Sequence, residues 1–182
     1  MTRRRRSRRW ACTASRRPPG DIAVANCPRH YILRSSWVIG EGHNFVKTMM
    51  MLSNRVADPG DGLNEVTVVD DQYGRLTFTS DMADAIFHLL DSGAGYGTYD
   101  LTGSGRVESW AGIAKAVFDL TNGNGDRVRP ISTEEYFRNA KAPVSPRPTH
   151  SALDLKKIEA TGYPALDWEE SLKKYVAKEL AE

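Results

Sequence analysis

The stretch HYILRSSWVIGEGHNFVKTMM (residues 30–50) decides the fold. Its first part, His30–Ser36, is rich in bulky and β-branched residues and reads as a short strand. Trp37-Val-Ile-Gly then breaks into a glycine-containing loop. Phe45, Val46, Met49, Met50 and Leu52 recur at helical spacing, which predicts a helix over residues 44–56. Strand, loop and helix in that order form half of a parallel α/β unit, and the rest of the chain repeats the theme. Strands are expected at 65–69, 96–102 and 128–131. Helices are expected after Thr79 or Ser80, after Ser109, after Ser132, after Ser151 and after Asp167. Ser132 and Glu135 have the spacing of a capping box. Apolar faces are expected from Met82, Ala85, Ile86, Leu89 and Leu90, from Trp110, Ile113, Ala114, Val117 and Phe118, and from Trp168, Leu172, Val176 and Leu180. Residues 21–26 read as the end of a further helix. The alternation indicates an α/β fold with parallel pairing. Only about four short strands are legible, where a doubly wound nucleotide-binding sheet has about six. The remaining strands would have to precede residue 21.

The chain has 182 residues and a formal net charge of +2, a total that hides a split. Eight of its 25 basic residues are arginines within residues 1–20, which hold no acid. The other 162 positions carry 17 basic residues against 23 acids, a balance of −6. Residues 1–20 lack aliphatic periodicity, end in Pro18, Pro19 and Gly20, and read as a disordered tail; residues 21–182 read as one globular unit. No apolar run approaches the roughly 18 residues of a membrane-spanning helix, and no apolar stretch follows the arginines as in a secretory signal. Cys12 and Cys27 form neither a metal pattern nor a disulfide framework, so a cytoplasmic setting is expected.

Several chemistries find no support. No G-x-G-x-x-G follows a strand: Gly93, Gly95 and Gly97 come after a helix, and Gly103 and Gly105 lack the third glycine, so both groups read as turns. His30, His43, His88 and His150 are scattered without metal-ligand spacing. Asp70-Asp71 reads as a solvated turn. Two clusters are better candidates. Ser36, Trp37, Asn44 and Lys47 sit where a strand ends and a helix begins, the usual place for ligands in open α/β sheets. Trp37 could stack on a ring there, and Asn44 with Lys47 could hold a phosphate or sugar hydroxyls. Arg75, between a strand and the following helix, could pair with a phosphate or with an aspartate of its own turn.

Residues 21–176 resemble the C-terminal half of the dTDP-4-dehydrorhamnose reductases, extended short-chain dehydrogenase/reductases with a Rossmann-type NAD(P)-binding fold. The resemblance rests on HYILRSSWVIGEGHNFVKTMM, VTVVDDQYGRLTFTSDMADAIFHLL, GTYDLTGSGRVESWAGIAKAVF, RPTHSALDLKKIEATG and DWEESLKKYV, in family order and spacing. Related sugar-nucleotide reductases and their non-catalytic regulatory relatives are the nearest alternatives. The resemblance implies reduction of dTDP-4-dehydro-L-rhamnose to dTDP-L-rhamnose by NADPH or NADH. It implies Trp37, Asn44, Lys47 and Arg75 around the sugar nucleotide, and Ser35 and Ser36 near the nicotinamide. It also implies what this sequence does not supply. The family's Tyr-x-x-x-Lys pair falls on Thr13 and Arg17, and neither residue can serve as its phenolic acid and lysine. Leu76 stands where the family usually has proline. The expectation is a truncated, sugar-nucleotide-binding portion that does not catalyse or hold the cofactor alone, with residues 1–20 an out-of-frame or mis-started reading. The alternative is a non-catalytic module that docks to a partner. An exposed sheet edge predicts self-association, and the acidic body offers no basic surface to extend the arginine tail toward nucleic acid.

Overall fold

The computed structural model describes residues 20–138 and 145–181. The arginine-rich segment, with Cys12, Thr13 and Arg17, lies outside the described residues apart from Gly20, as do Pro143 and Val144 of the proline-rich stretch. In chain order the elements are α1 (residues 20–25), β1 (Tyr31–Arg34), β2 (Val38–Ile39), α2 (Phe45–Ala57), β3 (Val66–Val69), β4 (Tyr73–Gly74), β5 (Thr77–Phe78), α3 (Thr79–Asp91), β6 (Gly97–Asp100), β7 (Glu108–Ser109), α4 (Trp110–Asn122), a 3-10 turn (Gly125–Arg127), β8 (Val128–Ile131), α5 (Thr133–Tyr136), α6 (Lys156–Glu159) and α7 (Trp168–Ala181).

Parallel pairing dominates, as the alternation of strands and helices predicts. β1 runs beside β6, with Tyr31 opposite Gly97 and Arg34 opposite Asp100. β2 runs beside β5, and β3 beside β8. Among the described residues only β4 and β7 pair in antiparallel fashion. The four expected strands are the four-residue ones; the two-residue strands β2, β4, β5 and β7 were too short to show a pattern.

Two apolar clusters hold these layers. The larger joins β3 and β8 to α2, α4 and α7 through Val46, Val68, Ile113, Val117, Phe118, Val128, Trp168 and Leu172. Removing such side chains from water is the main stabilising contribution, roughly 1.5–3 kcal/mol for each fully buried large residue. The smaller cluster lies under α3 and contains Ala85, Leu89, Tyr99, Leu101, Leu155, Ile158 and Tyr163.

The helix ends follow local chemistry. Ser109 caps α4 by accepting from the Gly112 amide at 3.0 Å, and Gly123 closes it at φ 68, a left-handed conformation that glycine adopts without penalty. Ser132 accepts from the Glu135 amide at 3.1 Å, while the Glu135 carboxylate lies 3.9 Å from Arg129. Asp167 accepts from the Glu169 amide as α7 begins.

Three expectations are corrected. β5 runs directly into α3, so Thr79 and Ser80 are already helical and Phe78 occupies the cap position without a side-chain bond. Ser151 does not open a helix: its amide donates to the Tyr73 carbonyl at 2.7 Å, which holds residues 149–151 extended beside β4, and α6 starts at Lys156. Leu180 is exposed at the outer end of α7, beyond the reach of the core that takes Trp168, Leu172 and Val176. Among the described residues no helix is long and apolar enough to cross a membrane.

Candidate functional site

The candidate residues follow β1 (Ser35, Ser36, Trp37), β2 at the start of α2 (Asn44, Lys47) and β4 (Arg75). Ser35 and Ser36 follow β1 directly. The Ser36 hydroxyl donates to the Ser151 carbonyl at 2.7 Å, and its own carbonyl accepts from the Thr77 hydroxyl at 2.7 Å. These bonds tie β1, β5 and the 149–151 segment together. The Ser35 hydroxyl is buried and finds no hydrogen-bond partner among the described residues. A buried hydroxyl left in that state is costly and marks a place where a ligand group could complete the bonding.

Trp37 has φ 50, among the described residues the only non-glycine with a positive value. For a bulky side chain this conformation is strained, at a cost of order 1–3 kcal/mol, and it persists only where the surroundings enforce it. Its ring stacks on Trp110 with centroids 3.8 Å apart and planes 21° from parallel. Phe45 leans on the far partner at 4.4 Å. Gly74 approaches from elsewhere. A Cβ built on it would meet Cδ2, Cε2 and Cζ2 of Trp37 at 2.8–2.9 Å, and no other atom as near. Near-equal distances to three consecutive ring atoms place that carbon over the ring. Were it on the Trp110 side, Trp110 would be nearer still. Gly74 therefore backs the opposite face. The expectation that Trp37 offers a face for stacking fails, because both faces of the six-membered ring are covered; its edge remains.

Asn44 caps α2, accepting from the Lys47 amide at 3.0 Å through Oδ1. Its Nδ2 donates to the Gly40 carbonyl at 2.7 Å and to the Tyr175 hydroxyl at 2.8 Å. The side chain is thus a hub that fixes the loop after β2 to α2 and α7. Lys47 pairs with Glu179 at 2.7 Å. Arg75 donates through Nε to the Gly105 carbonyl at 2.9 Å, and its Nη1 lies 3.5 Å from the Leu153 carbonyl. The structure does not bring these side chains to one place: Arg75 reaches Gly105, next to the start of α7, whereas Asn44 and Lys47 reach Tyr175 and Glu179 toward its end, and all three are occupied with bonds inside the chain.

The acidic pair is more than a solvated turn: Asp70 is exposed and Asp71 half-buried, and both are bonded into the fold. Asp70 accepts from the Ser109 hydroxyl at 2.6 Å. Asp71 accepts from both the hydroxyl and the amide of Thr133. The Thr133 hydroxyl, against some desolvation, holds the Asp71 carboxyl below the usual carboxylate range. Both aspartates latch the β3 end to α4 and α5. Tyr163 is buried and donates to the Asp81 carbonyl at 2.9 Å; burial, then the charges of Asp81 and Asp84, push it up to about 12. His88 is bonded to Thr161 and tilted on Tyr163, a packing role. Among the described residues no three His, Cys, Asp or Glu gather as metal ligands.

Sequence reasoning missed Gly74 and Trp110 as site residues, since neither carries reactive chemistry and only the fold brings them to Trp37. It also missed a groove of about 280 Å³ behind Asn44, between β2, the start of α3 and α7, lined by Gly40, Thr79, Ser171, Lys174 and Tyr175 among others.

Parallel strands backed by helices, with an aromatic cluster at the strand ends, define a Rossmann-type α/β unit. The solved dTDP-4-dehydrorhamnose reductase of Bacillus anthracis, a complex with NADP, has a TM-score of 0.73 and 30% identity, covering 91% of this chain and 54% of that one. The solved reductase of Clostridium acetobutylicum has a TM-score of 0.70 and 36% identity, covering 84% and 50%. The dTDP-4-dehydrorhamnose reductase of Sinorhizobium fredii is 40% identical over 169 residues, 86% of this chain and 53% of the relative. The family model described as the RmlD substrate binding domain matches residues 17–181, and the chain belongs to that family. It spans about half the length of the curated relatives it matches.

Proposed function

We propose that this chain is the sugar-nucleotide-binding part of a dTDP-4-dehydrorhamnose reductase. The observation that carries this reading is the family match over residues 17–181, which includes the whole Trp37 cluster. The reaction concerned is reduction of the 4-keto group of dTDP-4-dehydro-L-rhamnose to give dTDP-L-rhamnose, with NADPH or NADH supplying the hydride. Trp37 lies against the sugar nucleotide in this reading. Asn44, Lys47 and Arg75 support that cleft from separate places, Asn44 by capping α2 and the two cations through their contacts inside the chain. Ser35 and Ser36 lie on the nicotinamide side, and the unpartnered Ser35 hydroxyl fits a polar group arriving there.

The residues present fit the cofactor only at that end. The described residues contain no glycine loop placed between a strand and a helix to cradle a pyrophosphate, and the proton-donating Tyr and its Lys are replaced by Thr13 and Arg17. We therefore propose that the chain binds dTDP-sugar but needs a second set of residues for cofactor binding and turnover. Self-association through the outer side of β1, a cytoplasmic setting and the absence of a nucleic-acid role belong to the same proposal. Calorimetry with dTDP-L-rhamnose, paired with an NADPH-oxidation assay on dTDP-4-dehydro-L-rhamnose, tests it. Saturable binding without turnover is expected. Turnover by the purified chain, or no binding, would overturn it.

A further inference from the structure

We infer that Gly74 and Trp110 are positioning residues that clamp the Trp37 indole on edge, so that Trp37 meets the sugar nucleotide as a hydrogen-bond donor through Nε1 and not as a stacking surface. The inference rests on the proposed sugar-nucleotide site and adds how its aromatic residue works. Three observations carry it. First, both faces of the ring are covered, by Trp110 at 3.8 Å and by Gly74, where even one added carbon would lie 2.8 Å from the ring. A sugar or base cannot stack on a face already filled. Second, the Trp37 indole N–H donates to no acceptor among the described residues, and the side chain is only half-buried although both faces of its six-membered ring are covered. Trp168 shows the contrast: fully buried, its Nε1 donates to the Arg106 carbonyl at 2.8 Å. Third, the strained backbone at Trp37 is held by more than the stack, because the Thr77 amide donates to the Trp37 carbonyl at 3.1 Å. Strain kept in place by a clamp, with an unpaired donor on a half-buried ring whose faces are filled, is an arrangement suited to presenting the donor. The indole N–H donates only, so it selects an oxygen of the sugar or of the diphosphate.

The position of Gly74 follows from space, since its Cβ would strike the ring. Gly74→Ala must push the indole, and Trp110→Leu must release it from the other side. Trp37→Phe keeps a ring but deletes the donor.

The test is titration of the whole chain with dTDP-L-rhamnose, followed by calorimetry and by the indole N–H resonance of Trp37 in NMR. In the unsubstituted chain that resonance shifts on binding. Trp37→Phe weakens binding about three- to tenfold, the worth of one hydrogen bond. Gly74→Ala weakens it similarly while near-ultraviolet dichroism stays native, and adding Gly74→Ala to Trp37→Phe brings no further loss. Full affinity in Trp37→Phe, or an indole resonance unmoved by ligand, overturns the inference alone. So does Gly74→Ala that melts earlier but binds as before. Failure of the unsubstituted chain to bind overturns the parent reading and this inference together.

Discussion

Helices α3 and α4 are the same length and carry equally clear apolar patterns, yet the chain treats them differently. On α4, Ile113, Ala114, Val117 and Phe118 are all buried and Trp110 is half-buried against Trp37. On α3 only Ala85 and Leu89 are buried, while Ile86, Phe87 and Leu90 are 42%, 64% and 58% exposed. The helix over the β3–β8 pair is roofed by α2 and α7; the one over the β1–β6 pair has little beyond α6 and the Tyr163 loop. One half of the molecule is closed, and the other carries more apolar surface than its own residues cover. The candidate residues bridge the two: Ser35 follows β1 of the open side, whereas Trp37, Phe45 and Trp110 pack on the closed one.

The largest effect that could break this contrast is a core truncation. Phe118→Ala should cost about 3–5 kcal/mol, and Leu89→Ala about 2–3, because the looser cluster can settle into the space. Denaturant melts of both variants check the difference, and equal losses would remove the distinction between the two regions. Next in size is the hub at Asn44. Asn44→Ala should cost about 1–2 kcal/mol through the lost cap and the lost donations to Gly40 and Tyr175, which keep their bond to each other, read by the same melts.

Alkaline pH probes the open side from within. Tyr163 has its folded value raised to about 12 from an ordinary 10. Below pH 10 both folded and unfolded states keep the phenol neutral, and its full contribution is present. Between about 10 and 12 the unfolded state ionises first, so stability falls. Tyr163→Phe should flatten that fall in melts across this range. Asp71 works in the other direction: its depressed value makes its contribution present above the ordinary carboxylate range and lost as pH falls through the folded value. Smallest in stability is Phe87→Ser with Leu90→Ser, expected to change the melt by less than about 0.5 kcal/mol while reducing self-association in sedimentation.

Much of this was legible in the sequence. The runs around Tyr31–Arg34, Val66–Val69, Gly97–Asp100 and Val128–Ile131 carry enough β-forming residues to show as strands, and the periods of α2, α4 and α7 mark their buried faces. The two-residue strands were not legible, since pairing partners and not side-chain pattern define them. The start of α6 was misplaced because Ser151 serves Tyr73 and not a helix. At the site, residue type pointed to Trp37, Asn44, Lys47 and Arg75, but type cannot show that an amide already has its bonds or that a ring has both faces covered. Gly74 and Trp110 come from distant parts of the chain, and only folding makes them neighbours of Trp37.

Hydrogen exchange with and without dTDP-L-rhamnose tests the division of labour most directly. Ligand should protect residues 35–47 and 73–77 and the start of α4, and leave Ile86–Tyr96 unchanged. Protection centred on α3, or none anywhere, would contradict a sugar-nucleotide site bridging the two regions.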